Sequence, residues 1–323
     1  MYAEQEIPLG GAMQVVSLEG SDSGAVMIML HDVPWSPFIY GQAYRGCYPE
    51  LSDNFGLVWW DQLGCGENHS QEVSPDMTVK DLADMAADLV DAIHEMFPDR
   101  KILLNGYSGG SLLAMYAGER RQDIVSGIIC LSPVLSMAEA AENLAAVARQ
   151  HGTDAELHRL EQARKMPPPA LLNTAGTIAD KYTGCEHCAG DGAHNSLSRK
   201  WRRRLYESKE WRLSDMIATA RMARNARREH RAMWKSLMET DMRKTLDLIS
   251  VPVLFLQGSE ELYTLPEELE KLADLHENIT YIKYPRCGRV PTDECFPRML
   301  DEMVRFGRLA ADEQPAPADI NDI

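Results

Sequence analysis

Short apolar runs alternate along the chain with longer stretches in which apolar residues recur every three or four positions. Met13 to Leu18, Val26 to Leu30, Leu57 to Trp60, the run at 102–105 and Ile124 to Leu131 have the length and side-chain character of strands. Between them, Thr78 to Met96 places Val79, Leu82, Met85, Ala86, Leu89 and Ile93 on one helical face, with Ser74-Pro75-Asp76 as its start region. Residues 109–121 predict a second helix. Strands alternating with helices imply a mostly parallel sheet covered on both faces.

The alternation stops at Ser132-Pro133. From 133 to 248 the pattern is helical and rich in Ala and Arg, broken by Pro167-Pro168-Pro169 and by a loop around Gly184 to Gly192. Strand and helix signals then resume: a buried strand at Val251 to Leu256, a helix at 266–275, a strand at Ile279 to Tyr284 and a last helix at about 295–308. The expected organisation is a core from 1–132 and 249–310, a helical cap inserted at 133–248, and an acidic, proline-containing tail at 311–323 that is expected to be disordered.

Charge narrows the partners. A net charge of −16 argues against nucleic acid and anionic membranes, both polyanions. No run of about 18 apolar residues occurs, so no membrane span is predicted, and the acidic N-terminus lacks a signal-peptide pattern. The expectation is a cytoplasmic protein with its seven scattered cysteines reduced. Its ligand would be a small molecule or a short peptide.

The chemistry is concentrated where the strand at 102–105 runs into Gly106-Tyr107-Ser108-Gly109-Gly110 and a helix. Gly-x-Ser-x-Gly between strand and helix is a nucleophile elbow, which presents a serine hydroxyl at the end of a parallel strand. Ser108 is therefore the candidate nucleophile, and Tyr107 would border the same pocket. A serine needs a base within hydrogen-bond reach to act in acyl transfer.

Taken in order, the motifs resemble the α/β-hydrolase superfamily, in its proline iminopeptidase-like branch. His31-Asp32-Val33-Pro34-Trp35 stands where that branch has a His-Gly-Gly-Pro-Gly loop, and Asp61-Gln62-Leu63-Gly64-Cys65-Gly66 resembles its Asp-Gln-Arg-Gly-x-Gly block. The elbow follows about 40 residues later. The resemblance implies an α/β-hydrolase fold, a mostly parallel sheet flanked by helices with an inserted cap, and needs no cofactor or metal. It places oxyanion donors at Gly109 and in the loop of Asp32 and Val33, and pocket residues at His31, Trp35 and Tyr107. The acid falls at Glu261, with Glu260 as the alternative.

The chain departs from the pattern twice. The histidine position is Arg289, in Arg286-Cys287-Gly288-Arg289-Val290-Pro291, and arginine has no acceptor with which to take a proton from Ser108. The two glycines of the oxyanion loop are Asp32 and Val33. His187 and His194 in the cap, or His31, are the substitutes to consider; His69, His94, His151, His158 and His230 read as surface or cap residues, and His276 as a solvated helix end. Arg289 either pairs with Glu261 or clamps an anionic ligand. Cys185-Glu186-His187-Cys188 reads as a loop with two free thiols, with zinc or a disulfide as alternatives. Trp234, Met233 and Met242, with Trp201 and Trp211, supply apolar cap surface, and Glu207, Glu210 and Glu239 are carboxylates available there. The expected function is hydrolysis of a small peptide, amide or ester through Ser108 with an impaired or atypical base. The alternatives are a hydrolase scaffold that binds a small ligand without turnover, and a non-hydrolytic enzyme on the same fold.

Overall fold

The computed structural model describes residues 3–34, 49–183, 230–289, 291–292 and 294–311. Eight strands form one sheet: β1 (Ala3–Leu9), β2 (Ala12–Gly20), β3 (Val26–Leu30), β4 (Gly56–Trp60), β5 (Ile102–Tyr107), β6 (Val125–Leu131), β7 (Val253–Gly258) and β8 (Ile279–Tyr284). Their order is β1-β2-β4-β3-β5-β6-β7-β8. β1 and β2 form an antiparallel hairpin, β2 pairs antiparallel with β4, and every later pairing is parallel.

β1 is an edge strand that hydrophobic patterning misses. Most of its residues face solvent and only Ile7 and Leu9 reach the core. The central strands read as unbroken apolar runs because both faces are covered. In β3, Val26, Ile28 and Leu30 join one apolar cluster and Met27 and Met29 the other.

α1 (Pro49–Ser52) and α10 (Phe296–Ala310) lie on the second of these faces, α2 (Val79–Met96) and α3 (Gly110–Arg120) on the first. α2 buries the face expected of it, and Thr78 and Asp81 cap its first turn reciprocally. Between β6 and β7 the described elements are all helices: α4 (Met137–His151), α5 (Asp154–Arg164), α6 (Ala170–Thr183), α7 (Arg231–Glu239) and α8 (Arg243–Leu246). One apolar cluster continues from α2 and α3 into α4, α6 and α7, so these helices share the core of the sheet. α9 (Pro266–Leu275) follows β7. No helix among the described residues is long and apolar enough to cross a membrane.

The strand order reverses around β3, whose neighbours β4 and β5 both follow it in sequence. Loops leaving the carboxyl ends of adjacent strands diverge at such a point and leave a crevice for chemistry. His31–Pro34 follow β3, Ser108 follows β5, Ser132 follows β6, Ser259–Thr264 follow β7 and the loop of Arg289 follows β8.

Candidate active site

Ser108 sits between β5 and α3 with φ of +56°. A non-glycine residue held there costs roughly 1–3 kcal/mol, and such strain is found where surrounding structure fixes it. Here the Ser108 N–H donates to Leu131 O at 2.9 Å, and its carbonyl accepts from the Ser111 hydroxyl at 2.5 Å and the Ser111 N–H at 3.1 Å. The flanking glycines are steric necessities. A Cβ at Gly106 would lie 2.6 Å from Gly110 O, and one at Gly110 would lie 2.2 Å from Leu30 O. Ser108 is fully buried.

Arg289 stands between Ser108 and Glu261. Its Nη2 donates to Ser108 Oγ, its Nη1 lies 3.6 Å from Glu261 Oε1, and its guanidinium stacks on the Tyr263 ring with Cζ 3.6 Å from the centroid. The backbone is fixed too, since the Ser132 hydroxyl donates to Arg289 O at 3.0 Å. Glu261 is buried and Glu260 exposed. Glu261 Oε1 accepts the Leu262 and Tyr263 N–H groups at 2.9 Å each. Among the described residues, Glu261 Oε2 and Arg289 Nη1 have no hydrogen-bond partner.

Asp32 completes the cluster. Its Oδ1 accepts the Gly109 N–H at 2.7 Å, and the Ser108 hydroxyl and Val33 N–H also support its charge. Gly109 can come this close only because it is glycine: a Cβ there would lie 2.4 Å from Asp32 Oδ1 and 2.9 Å from Val33 Cγ2. The amides expected to serve an oxyanion therefore serve a carboxylate of the protein itself.

One cation faces two carboxyls in this buried space. Burial pushes the Asp32 carboxyl up, against the Arg289 charge and the hydrogen bonds that lower it. Burial likewise raises Glu261, with Arg289 and the loop amides opposing. Burial works against the Arg289 charge, but Glu261, Tyr263, Asp32 and Tyr107 together hold its pKa above the ordinary arginine value.

His31 holds the loops together. Its Nε2 accepts the Gln62 N–H at 2.9 Å, which leaves Nδ1–H to donate to Asp32 O at 2.9 Å. Both ring nitrogens are thus engaged by backbone groups. The neighbouring block is scaffold: Asp61 accepts the Glu67 N–H, and Asn68 bridges to Val15 and Asp61. Burial pushes the Asp61 carboxyl up to about 7.

The structure brings together Ser108, Gly109, Asp32, Val33, Glu261 and Arg289, with Tyr107 half-buried beside them. Trp35, Cys185, His187, Cys188, His194, Trp201, Glu207, Glu210 and Trp211 lie outside the described residues. His230, in the segment read as the cap, is buried, with Nδ1 3.3 Å from Ser74 O, where α7 docks near the start of α2. Met233, Trp234 and Met242 pack in the core cluster. Glu239 is exposed. Patterning gave no sign of the Tyr263 stack, because an aromatic residue two positions after an acid carries no distinctive signal.

A strained serine on a strand–elbow–helix turn, at the point where a mostly parallel sheet reverses its order, defines an α/β-hydrolase fold. The family described as serine aminopeptidase, S33, matches residues 48–287, and the chain belongs to it. The match ends two residues before Arg289. The probable aminopeptidase YbaC of Bacillus subtilis (strain 168) is 28% identical over 135 residues, 41% of this chain and 42% of that protein's length. Among solved structures, the proline iminopeptidase of Mycobacterium smegmatis superposes with a TM-score of 0.66 at 16% identity, covering 96% of this chain and 99% of that one. A proline iminopeptidase-related protein of Thermus thermophilus gives 0.60 at 19%, covering 96% and 98%. A thermophilic esterase from Thermogutta terrifontis gives 0.60 at 22%, covering 96% and 99%. At these identities the superpositions establish the shared fold. With the family match, they make the chain an α/β-hydrolase of the serine aminopeptidase, S33, family.

Proposed function

We propose that this protein hydrolyses a small peptide, amide or ester through Ser108, with Asp32 in the role that histidine has in a serine triad. The observation that carries the reading is the Asp32 carboxyl held on the N–H of Gly109, the residue next to Ser108, beside a guanidinium that donates to Ser108 Oγ. As Ser108 Oγ attacks the carbonyl carbon, its proton passes to Asp32. The developing oxyanion is stabilised by the Arg289 guanidinium, which faces Ser108 through Nη2. The leaving amine or alcohol takes the proton from Asp32. Water then attacks the acyl group, gives a proton to Asp32, and Ser108 recovers it as the acid departs. Glu261 holds Arg289 in place. The family and the names of its relatives point to the N-terminal residue of a short peptide as one substrate class.

A second reading is favoured by a different observation. Asp32 already occupies the Gly109 amide that would serve an oxyanion, which suits a scaffold that binds a small ligand without turnover. A fluorophosphonate probe separates the two: labelling of Ser108 that disappears in Asp32→Asn supports hydrolysis, and no labelling of the parent protein overturns it.

A further inference from the structure

Two residues before Arg289 and six after it, the chain carries cysteines whose sulfurs meet. Cys287 Sγ and Cys295 Sγ are 2.8 Å apart, and both side chains are buried. That is close to the roughly 2.05 Å of a disulfide bond. The surroundings prepare one sulfur to react. Cys295 stands at the N-terminus of the 15-residue α10, and its Sγ receives the Thr292 N–H at 3.1 Å, while its own N–H donates to Thr292 Oγ1 at 3.0 Å. Thiolates are favoured at helix N-termini by the amides that point at them. The Cys287 thiol supplies the largest effect that lowers the Cys295 pKa, and is itself raised by donating that hydrogen bond. Cys287 is anchored on the other side, because its carbonyl accepts the Glu260 N–H at 2.9 Å and packs against Gly258.

We propose that Cys287 and Cys295 form an oxidative modification site, at which hydrogen peroxide converts the two thiols into a disulfide that closes the loop carrying Arg289. The Cys295 thiolate attacks peroxide, which cleaves the O–O bond and leaves a sulfenic acid and, with one proton, water. The Cys287 sulfur attacks that sulfenic sulfur and expels the second water. Two thiols are oxidised by two electrons and one peroxide is reduced to two waters. A buried pair suits a small oxidant. The bond would tether the segment on both sides of Arg289, so oxidation reports directly to the group resting on Ser108.

The test is a peptide map of the intact protein after peroxide treatment, and it reads the disulfide whether or not Ser108 turns over. Trypsin cuts after Arg286, Arg289 and Arg298, so the disulfide joins peptide 287–289 to peptide 290–298 in a non-reduced digest. The expected result is this linked pair, split by a reductant, with two hydrogens lost from the pair. In Cys287→Ser the expected product is a Cys295 sulfenic acid that a cyclic 1,3-dione traps; in Cys295→Ser, none forms at Cys287. Peptides recovered unlinked from the oxidised parent protein, with both thiols intact or driven to sulfinic acid, overturn the proposal, as does oxidation confined to other cysteines. The map of the parent protein decides the question even if a variant does not fold.

Discussion

The Asp32 carboxylate takes the Gly109 amide at 2.7 Å, which puts a negative charge of the protein where a serine hydrolase normally directs its hydrogen bonds at substrate. Gly109 directly follows Ser108, so the same carboxyl is held beside the nucleophile. Asp32→Asn keeps the size and an acceptor for Gly109 but removes the base. Removing a general base typically costs 10²- to 10⁴-fold, so the rate of Ser108 labelling by a fluorophosphonate is expected to fall by about that factor. The binding reading gives the opposite outcome, in which removing the charge leaves labelling unchanged or raises it.

The pH dependence of that labelling has a definite sign. Burial raises the Asp32 carboxyl above the usual carboxylate range, so the proton-accepting form is populated only above that raised value. The rate is expected to increase with pH through a single ionisation lying higher than an ordinary aspartate, and then to level off. Stopped labelling at a series of pH values checks it. A rate that is flat from pH 4 to 8, or an ionisation in the ordinary aspartate range, contradicts the role given to Asp32.

Much of this site is legible in the chain, and the remainder has physical reasons for being hidden. Gly106, Ser108 and Gly110 announce the elbow because the backbone cannot approach Leu30 and Ser111 in any other way. The replacement of histidine by Arg289 is equally visible, since the motif around it is short and the following helix sets its place. What Asp32 does is not visible. A carboxylate in a loop reads as solvated until the fold turns it onto Gly109. Glu260 and Glu261 are adjacent and chemically alike, and only the loop conformation buries the second. β1 escaped because an edge strand needs little apolar surface. The meeting of Cys287 and Cys295 depends on the turn at Thr292, which no periodicity encodes.

Asp61 offers a measurement of stability separate from the chemistry. Its carboxyl is raised by burial from 3.8 to about 7. A carboxyl whose folded-state pKa is raised contributes stability that is complete below the unfolded value and is lost as pH rises through the folded value. The loss falls between about pH 4 and 7 and amounts to a few kcal/mol at most, at about 1.4 kcal/mol per pKa unit. Asp61→Asn retains an acceptor for the Glu67 N–H and removes the titration. Urea unfolding is expected to show a steeper decline over this range in the parent protein than in Asp61→Asn. Parallel profiles for the two would contradict the assignment.

The ion pair of Arg289 and Glu261 predicts a coupled pattern of stabilities. Replacing Arg289 with Met leaves Glu261 buried without its cation, and breaking a buried pair from one side costs about 3–5 kcal/mol. Glu261→Gln alone likewise strands Arg289, though Asp32 remains to offset its charge. The double variant Arg289→Met with Glu261→Gln is expected to recover a substantial part of the loss. A denaturant double-mutant cycle reads the coupling directly. Single effects that simply add would show that the two groups, 3.6 Å apart, do not depend on each other.

Restoring a triad by substitution tests the oxyanion loop and the base together. Arg289→His returns an imidazole to the position between Ser108 and Glu261, yet Asp32 still holds the Gly109 amide. That variant also loses the cation that offsets the buried Glu261 and the part-buried Asp32, so little gain is expected from it alone. Adding Asp32→Gly frees the amide for an oxyanion and returns glycine to the position. One oxyanion donor is typically worth 10²- to 10³-fold. Esterase activity towards an activated acyl ester is therefore expected to rise by about that factor in the double variant over Arg289→His. Equal activity in the two would mean that Asp32 does not block the hole. An active Arg289→His would mean that a substrate carbonyl displaces the Asp32 carboxylate unaided. Rates for the parent protein, both single variants and the double variant distinguish these outcomes, because the coupling between positions 32 and 289 is predicted to be strongly positive.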